Sequence, residues 1–322
     1  MLATNNFTFG LLTPVLAYLM SCVGAFIGLR CTTRAYAYDD RSARLRWLAL
    51  AAISLGTTGI WVMHFIGMLG YSVAGMTVRF NVIITIASLI IAVLVVFGGL
   101  LIVGFGAPAR RNLLTAGVIT GVGVSAMHYV GMAAIEMQAS MTYSLPLVAL
   151  SVVIGIVAAT AALWAALRLR GLWSTLGASL IMGVAVSGMH YTGVAAMRME
   201  RLAPGAHVSA TGPTAQVFLL PLLIGIGVVS IILSAVLVFS PTESEIREDR
   251  DLMDRINAAT ARLAAAPPPA PAPRPDPVGG RRGRNGSAPG RREAPVRPTE
   301  RPLAARRLPD QRRAGDQRHA GR

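Results

Sequence analysis

Seven uninterrupted apolar stretches constrain the fold of this chain more than any other feature. Each is close to the roughly 20 residues that a helix needs to cross a bilayer. The mean hydropathy of +0.55 is far too high for a soluble domain. We therefore predict an all-α, polytopic membrane protein with seven transmembrane helices and the lipid bilayer as its main partner. The predicted spans are 11–29, 47–70, 82–105, 113–135, 145–167, 173–197 and 217–239.

Arginine placement predicts the orientation of these spans, because short cytoplasmic loops retain positive charge. Nine arginines follow the first, third and fifth spans, and three lie on the opposite side. We expect a protein of the inner (plasma) membrane with its N-terminus outside and its C-terminus in the cytoplasm. The first span begins after ten residues without a basic leader or a small-residue cleavage site, so we expect a retained helix. The nine arginines on the predicted cytoplasmic side are Arg30, Arg34, Arg41, Arg44, Arg46, Arg110, Arg111, Arg168 and Arg170. The three on the opposite side are Arg79, Arg198 and Arg201.

The rare residue types exclude several classes of membrane protein. Lysine is absent, since all 30 basic residues are arginine, so a retinal Schiff base is excluded. Glu136, at the end of the fourth span, is the only acidic candidate for a proton relay, which makes a pump improbable. Cys22 and Cys31 are the only cysteines, and we expect neither a disulfide nor a thiolate metal site from them.

A Met-His-aromatic triplet occurs three times near the ends of apolar spans. The copies begin at Met63, Met127 and Met189, and their histidines are separated by 64 and then 62 residues, about one transmembrane hairpin. Each histidine lies 15 to 17 residues from the cytoplasmic end of its span, or about 22 to 26 Å along a helix. Histidine is costly in hydrocarbon and tends to face a partner, a cavity or a metal there. We predict that His64, His128 and His190 form one layer near the outer face.

The residues around the histidines indicate a soft metal. His64 and Met68 are four residues apart and share a helix face, as do His128 and Met132. Imidazole with thioether suits copper, Cu(I) above all, better than zinc or magnesium. The preceding methionines are rotated by about 100° from their histidines and reach such a site only between helices. The methionines are alternatively core packing.

Serines and glycines near the motifs have roles that need no metal. Ser125 and Ser187, each three residues before a histidine, are alternative hydrogen-bond partners for the imidazoles. A glycine follows each histidine by three residues, and small residues let membrane helices approach closely. These glycines, which would bring the histidines within reach of one another, are Gly67, Gly131 and Gly193.

At Pro241 the composition changes from apolar to charged, which predicts three regions: a membrane domain at 1–240, a short helix at 241–265 and a tail at 266–322. Thr242 and Glu245 have capping-box spacing before the helix. This helix is interpreted either as amphipathic at the membrane surface or as a dimer-forming coiled coil. The Pro- and Arg-rich tail is predicted to be disordered. Its arginines can contact anionic lipid or weakly bind RNA, although a solvated tail with no specific partner, nucleic acid included, is the expectation.

With these motifs in place, the chain resembles the MHYT family, bacterial seven-helix integral membrane sensor domains named for this triplet. The resemblance covers about residues 11–240, with motifs on the second, fourth and sixth helices. It implies a sensor that binds copper near the outer face and detects a diatomic gas such as oxygen, CO or NO. Val194 stands where the other copies have methionine, and Met197 is a substitute if it lies one turn further on the same face. The metal ligands implied are Met63, His64, Met68, Met127, His128, Met132, Met189 and His190, with Met197 as the substitute.

A signal transduction role is the main functional hypothesis, in which copper binds a gas or changes redox state. A copper-handling protein and a structural protein without metal are the alternatives. We expect no enzyme activity, because the chain shows no nucleophile–base pair and no cofactor fingerprint. Without a phosphate-binding loop or kinase signature in the tail, the signal is expected to pass to a separate cytoplasmic output protein.

Overall fold

Seven helices in the computed structural model are long and apolar enough to cross a membrane. The structure describes residues 4–5, 7–107, 109–202, 211–241 and 243–265. The prediction of an all-α, multi-pass membrane protein is confirmed. The spanning helices are α1 (Leu12–Ala37), α2 (Arg41–Leu69), α3 (Val82–Phe105), α4 (Arg110–Ala133), α5 (Leu145–Arg168), α6 (Leu172–Ala196) and α7 (Ala215–Phe239), and a charged helix α8 (Glu243–Ala265) follows them.

Several helices extend beyond the apolar stretches that predicted them. Helix α1 continues to Ala37, well past residue 29, and α2 begins at Arg41, where the Asp40 carboxylate accepts a hydrogen bond from the backbone N–H of Ala43. The difference has a physical reason, since hydropathy marks the part of a helix suited to lipid, whereas the backbone hydrogen bonds continue into the polar region. Arg34 is buried in this extension, where its guanidinium donates to the carbonyl of Leu237 at 3.1 Å.

Among the described residues, three antiparallel two-stranded ribbons lie at one end of the bundle. None was predicted, because segments of two to five residues are too short to show an alternating pattern. We call this end, where α2, α4 and α6 finish, the motif end, and the opposite end the arginine end. The pairs are β1 (Thr4–Asn5) with β2 (Ser72–Val73), β3 (Arg79–Phe80) with β4 (Ile135–Glu136), and β5 (Ala139–Tyr143) with β6 (Met197–Arg201).

Helix α2 is the centre of the bundle. In its most apolar segment 72% of the residues are buried, against 22% in α5 and in α7. It packs against α1 along its length, against α3 as far as Val62 and against α7 at its middle, and its motif end also meets α4 and α6. Side-chain hydrogen bonds connect it to α1, α7 and α3: Ser54 to the Gly24 carbonyl at 3.0 Å, Thr58 to Ser230 at 2.6 Å and Trp61 to Ser88 at 2.9 Å.

The middle of α2 is a π-helix over Ser54–Val62, which ends directly before Met63 and His64. Such wide turns are rare and occur often at functional sites. The backbones of α1 and α2 touch here, because a Cβ atom on Gly24 would lie 2.2 Å from the backbone nitrogen of Gly59. The π-helix therefore packs against α1 at a point where Gly24 has no space for a side chain.

Helix α8 is held to the arginine end by Arg250, which pairs with Asp39 at 3.0 Å and donates to the carbonyl of Ala37 at 2.8 Å. It lies within the segment 241–265 for which a helix was expected. The chain forms two compact units, Met1–Ala266 and Pro267–Arg322. The second unit lies wholly outside the described residues. Thr242 of the predicted capping box and the tail arginines lie outside them as well.

Adding one methyl group at Gly24 tests the close contact between α1 and α2. Gly24→Ala should destabilise the protein by about 1 to 3 kcal/mol, because the new Cβ has no space against the Gly59 backbone. Gly98→Ala in α3 is the matched control, since nothing lies within 4 Å of its added Cβ, and it should leave stability unchanged or slightly higher. Thermal unfolding in detergent measures both, and equal midpoints for the two variants would contradict the packing described.

Candidate metal centre

The three histidines of the triplets meet at one point inside the bundle. His64 lies on α2, His128 on α4 and His190 on α6, and their side chains are 1%, 0% and 0% exposed. Their Nδ1 atoms form a triangle with sides of 2.9 Å between His64 and His128, 3.1 Å between His64 and His190, and 3.4 Å between His128 and His190. The common layer predicted from the spacing is thus a direct three-way contact.

The ring arrangement has an approximate threefold pattern. The centroids of the imidazoles lie 4.7 to 5.1 Å apart and the ring planes are close to perpendicular, at 79° to 85°. The aromatic residue of each triplet packs edge-on against its own histidine, with centroids 4.7 Å apart for Phe65, 5.2 Å for Tyr129 and 4.8 Å for Tyr191. The sequence analysis assigned no role to these aromatic rings, which surround the imidazoles.

Each imidazole rests on the glycine of the next motif. A Cβ atom would lie 2.5 Å from His64 Nε2 if added to Gly131, 2.2 Å from His128 Nε2 if added to Gly193, and 2.3 Å from His190 Nε2 if added to Gly67. The order is cyclic: the histidine of the first motif packs against the glycine of the second, that of the second against the third, and that of the third against the first. The glycines predicted to allow close helix approach therefore make room for an imidazole from the neighbouring helix.

The triangle of nitrogens cannot satisfy its own hydrogen bonds. A neutral imidazole has one N–H and one lone pair, so each Nδ1 is either a donor or an acceptor. Donor and acceptor cannot alternate around a ring of three atoms, and at least one contact must join two donors or two acceptors. A cation that accepts all three lone pairs removes this conflict.

The structure does not contain the alternative hydrogen bonds between Ser125 or Ser187 and the imidazoles. The Ser125 hydroxyl donates to the carbonyl of Gly121 at 2.8 Å, and the Ser187 hydroxyl has no hydrogen-bond partner among the described residues. Within that same part of the chain, the three Nε2 atoms also lack partners. A buried polar group without a partner costs about 1 to 3 kcal/mol, so the rest of the packing offsets the cost of these three Nε2 atoms.

The nitrogen triangle fits a metal ion. A point equidistant from the three Nδ1 atoms is about 1.8 Å from each, slightly under the 2.0 to 2.1 Å of a metal–imidazole bond. The three Nδ1 atoms would therefore hold one ion with little rearrangement. Among the described His, Cys, Asp and Glu residues, these three histidines are the group that can hold a metal.

The methionines of the motifs lie in the buried interior of the bundle. Met68 and Met132 follow their histidines by four residues on unbroken helix, as the shared-face argument required. Met197 is different, because α6 ends at Ala196 and Met197 begins β6, and its role as a substitute ligand stays a prediction. Val194, in the methionine position of the third motif, is buried. The candidate ligand methionines, all of them buried, are Met63, Met68, Met127, Met132, Met189 and Met197.

Glu136 lies outside the histidine layer, in β4 beyond the end of α4. The backbone N–H of Gly212 donates to one carboxylate oxygen at 3.0 Å and the Asn81 side chain to the other at 3.1 Å. These bonds hold the pKa of Glu136 below its usual value. The Arg79 guanidinium donates to the Gly212 carbonyl at 2.8 Å, so this carboxylate joins the connections of the motif end.

Comparison with known proteins supports the resemblance. The family model of a bacterial signalling protein N-terminal repeat, MHYT, matches residues 58–116 and 121–179. Each matched segment begins a few residues before a triplet, and the third triplet lies beyond the second match. No solved structure matches the chain.

Three curated relatives share part of the chain. It is 37% identical over 184 residues to the bifunctional diguanylate cyclase/cyclic di-GMP phosphodiesterase MucR of Pseudomonas aeruginosa, covering 55% of this chain and 26% of MucR. It is 37% identical over 202 residues to the cyclic di-GMP phosphodiesterase NbdA of the same organism, and 28% over 202 residues to the signaling protein YkoW of Bacillus subtilis. Each of the latter matches covers 60% of this chain and 25% of the relative, so the chain spans about a quarter of the length of these relatives.

The contact between an imidazole and the next motif's glycine predicts a specific coupling. Gly193→Ala should cost about 1 to 3 kcal/mol of stability, because its Cβ would overlap the ring of His128. In a His128→Ala background the same change should cost much less, since the ring is absent. Gly188→Ala on the same helix is the control, with nothing within 4 Å of its added Cβ. Equal costs of Gly193→Ala in both backgrounds, measured by thermal unfolding, would contradict the packing.

Proposed function

Since residues 58–179 carry MHYT repeats and belong to this family of bacterial membrane signalling domains, we propose that the protein is a copper-dependent membrane sensor of a diatomic gas or of redox state. His64, His128 and His190 hold the metal through Nδ1. The observation that carries the proposal is the buried triangle of Nδ1 atoms, whose sides do not exceed 3.4 Å and whose donors and acceptors cannot be matched without a cation.

Copper is proposed over other metals on the chemistry of the available donors. Three imidazoles suit zinc, nickel and copper, and copper has the highest affinity for such ligands among the divalent first-row metals. Thioether ligands shift the preference to Cu(I). The methionines proposed to contribute are Met63, Met68, Met127, Met132 and Met189. When bound, copper supplies a coordination position for oxygen, CO or NO, or a one-electron redox change.

The signal is proposed to leave the site through α2. His64 lies two residues after the end of the π-helix, which contacts α1 through Gly24 and α7 through Ser230. At the arginine end, Arg34 of α1 donates to the carbonyls that end α7, and Arg250 of α8 holds the end of α1. A ligand that binds one arrangement of the three histidine helices more tightly than another would shift this connected set of helices.

The direction of signalling follows from charge. Nine arginines lie at or near the arginine end of the bundle and three at the motif end, so we propose that the motif end faces outside and α8 faces the cytoplasm. Because two relatives are named as cyclic di-GMP enzymes, the proposed output partner is a cytoplasmic protein of cyclic di-GMP turnover. The tail is proposed to contact anionic lipid, and the chain's own role is non-catalytic.

Metal content tests the proposal. Purified protein exposed to Cu(I) and desalted should retain about one copper per chain by mass spectrometry, since three imidazoles make one site. The triple His64→Ala, His128→Ala, His190→Ala variant should retain none. His207→Ala with His319→Ala removes the other two histidines of the chain and should retain the metal. Wild-type protein without copper after reconstitution would exclude the sensor chemistry.

A further inference from the structure

A cavity of about 60 Å³ lies next to the histidine cluster, on the side towards the arginine end. Its lining includes Ile60, Val124 and Val186, which precede His64, His128 and His190 by four residues each. Residues four apart occupy the same helix face, so the cavity begins about 6 Å, one helical turn, from the imidazoles. Met189, directly before His190, also lines it. The cavity and the candidate metal centre are therefore neighbours on all three motif helices.

The lining selects for a small, uncharged occupant. Apart from the hydroxyls of Ser21 and Thr120, the side chains around the cavity are aliphatic or thioether groups, or the residues are glycine. A buried water needs two to four polar partners, and apolar cavities stay dry. A cavity of roughly 150 Å³ holds a benzene ring, so one of about 60 Å³ admits a diatomic molecule or a xenon atom and excludes rings and acyl chains.

The cavity reaches the side of the bundle between α5 and α6. Ala158 and Ala162 on α5 and Val186 on α6 are half-buried, whereas the other lining residues are buried. These three residues lie in the middle parts of spanning helices, so this mouth faces the hydrocarbon of a bilayer. Uncharged apolar molecules are more soluble in hydrocarbon than in water, which makes the bilayer their source.

We infer that this cavity is a docking site for an uncharged diatomic molecule, which enters from the bilayer between α5 and α6 and passes Met189 to reach the histidine cluster. Delivery to the cluster rests on the proposed sensor function. Occupancy of the cavity does not, because it depends only on the size and apolar character of the lining. The two parts are therefore tested separately.

Xenon is the probe for occupancy. Saturation-transfer ¹²⁹Xe NMR on metal-free protein in detergent should show a bound-xenon signal that disappears in Ala158→Leu and in Val186→Phe, which fill the cavity from different helices. Val157→Phe is the control, because Val157 is 63% exposed on the outer side of α5 and should leave the signal intact. Size-exclusion profiles identify the variants that fold. One folded variant, Ala158→Leu or Val186→Phe, is sufficient to test the site. Absence of bound xenon in the wild type, or its persistence in a folded filled variant, would overturn the site.

Carbon monoxide association with copper-loaded protein tests delivery. Ala162→Phe should slow the association rate about fivefold or more by closing the mouth, while copper content and the stretching frequency of bound CO stay unchanged. Val157→Phe should associate at the wild-type rate. An unchanged rate in Ala162→Phe would refute the route, whereas protein that binds xenon but no copper would refute the proposed function and leave the docking site standing.

Discussion

Three imidazole nitrogens from three different helices lie within 3.4 Å of one another in the interior of the bundle, and much of the surrounding structure accommodates that contact. Each ring needs a glycine on the neighbouring helix, because even a methyl group there would overlap its Nε2 atom. The three rings also require three helices to finish at the same depth, which the ribbons of the motif end support. A buried cluster of polar nitrogens without partners is unfavourable, and such sites persist in membranes where they bind something.

The centre of the bundle connects this contact to the rest of the molecule. Helix α2 carries His64 and is the most buried span, and its π-helix lies between α1 and α7. Arg34 and Arg250 then join the ends of α1 and α7 to α8. A displacement at the imidazoles thus has a continuous packed route to the charged helix. The apolar cavity beneath the cluster adds a route in the opposite direction, from the bilayer to the imidazoles.

The sequence predicts the spans and the histidine layer well, because both depend on regular spacing. Apolar length identifies all seven helices, and the 64- and 62-residue intervals place His64, His128 and His190 at one depth. The sequence does not predict which helix is central, because the residues of one span do not show which other helices it contacts. The pairing of His64 with Gly131, and of His190 with Gly67, depends on the order of helices around α2 in the same way.

Other features lack a local signal altogether. The π-helix over Ser54–Val62 has an ordinary apolar sequence, and its wide turns reflect contacts with α1, α3 and α7. The end of α6 is one example, because hydropathy does not show that the helix stops at Ala196 and that Met197 begins β6. The cavity appears only when the residues at the −4 positions of three motifs are assembled.

X-ray absorption at the copper edge tests the central claim, that the three histidines form one metal site through their ring nitrogens. The spectrum of copper-loaded protein should show about three imidazole nitrogens near 2.0 Å around a single copper, with or without a sulfur. Loss of one imidazole in each single histidine variant would then identify all three as ligands of the same ion. Copper bound by one imidazole, or by sulfur alone, would contradict the shared site.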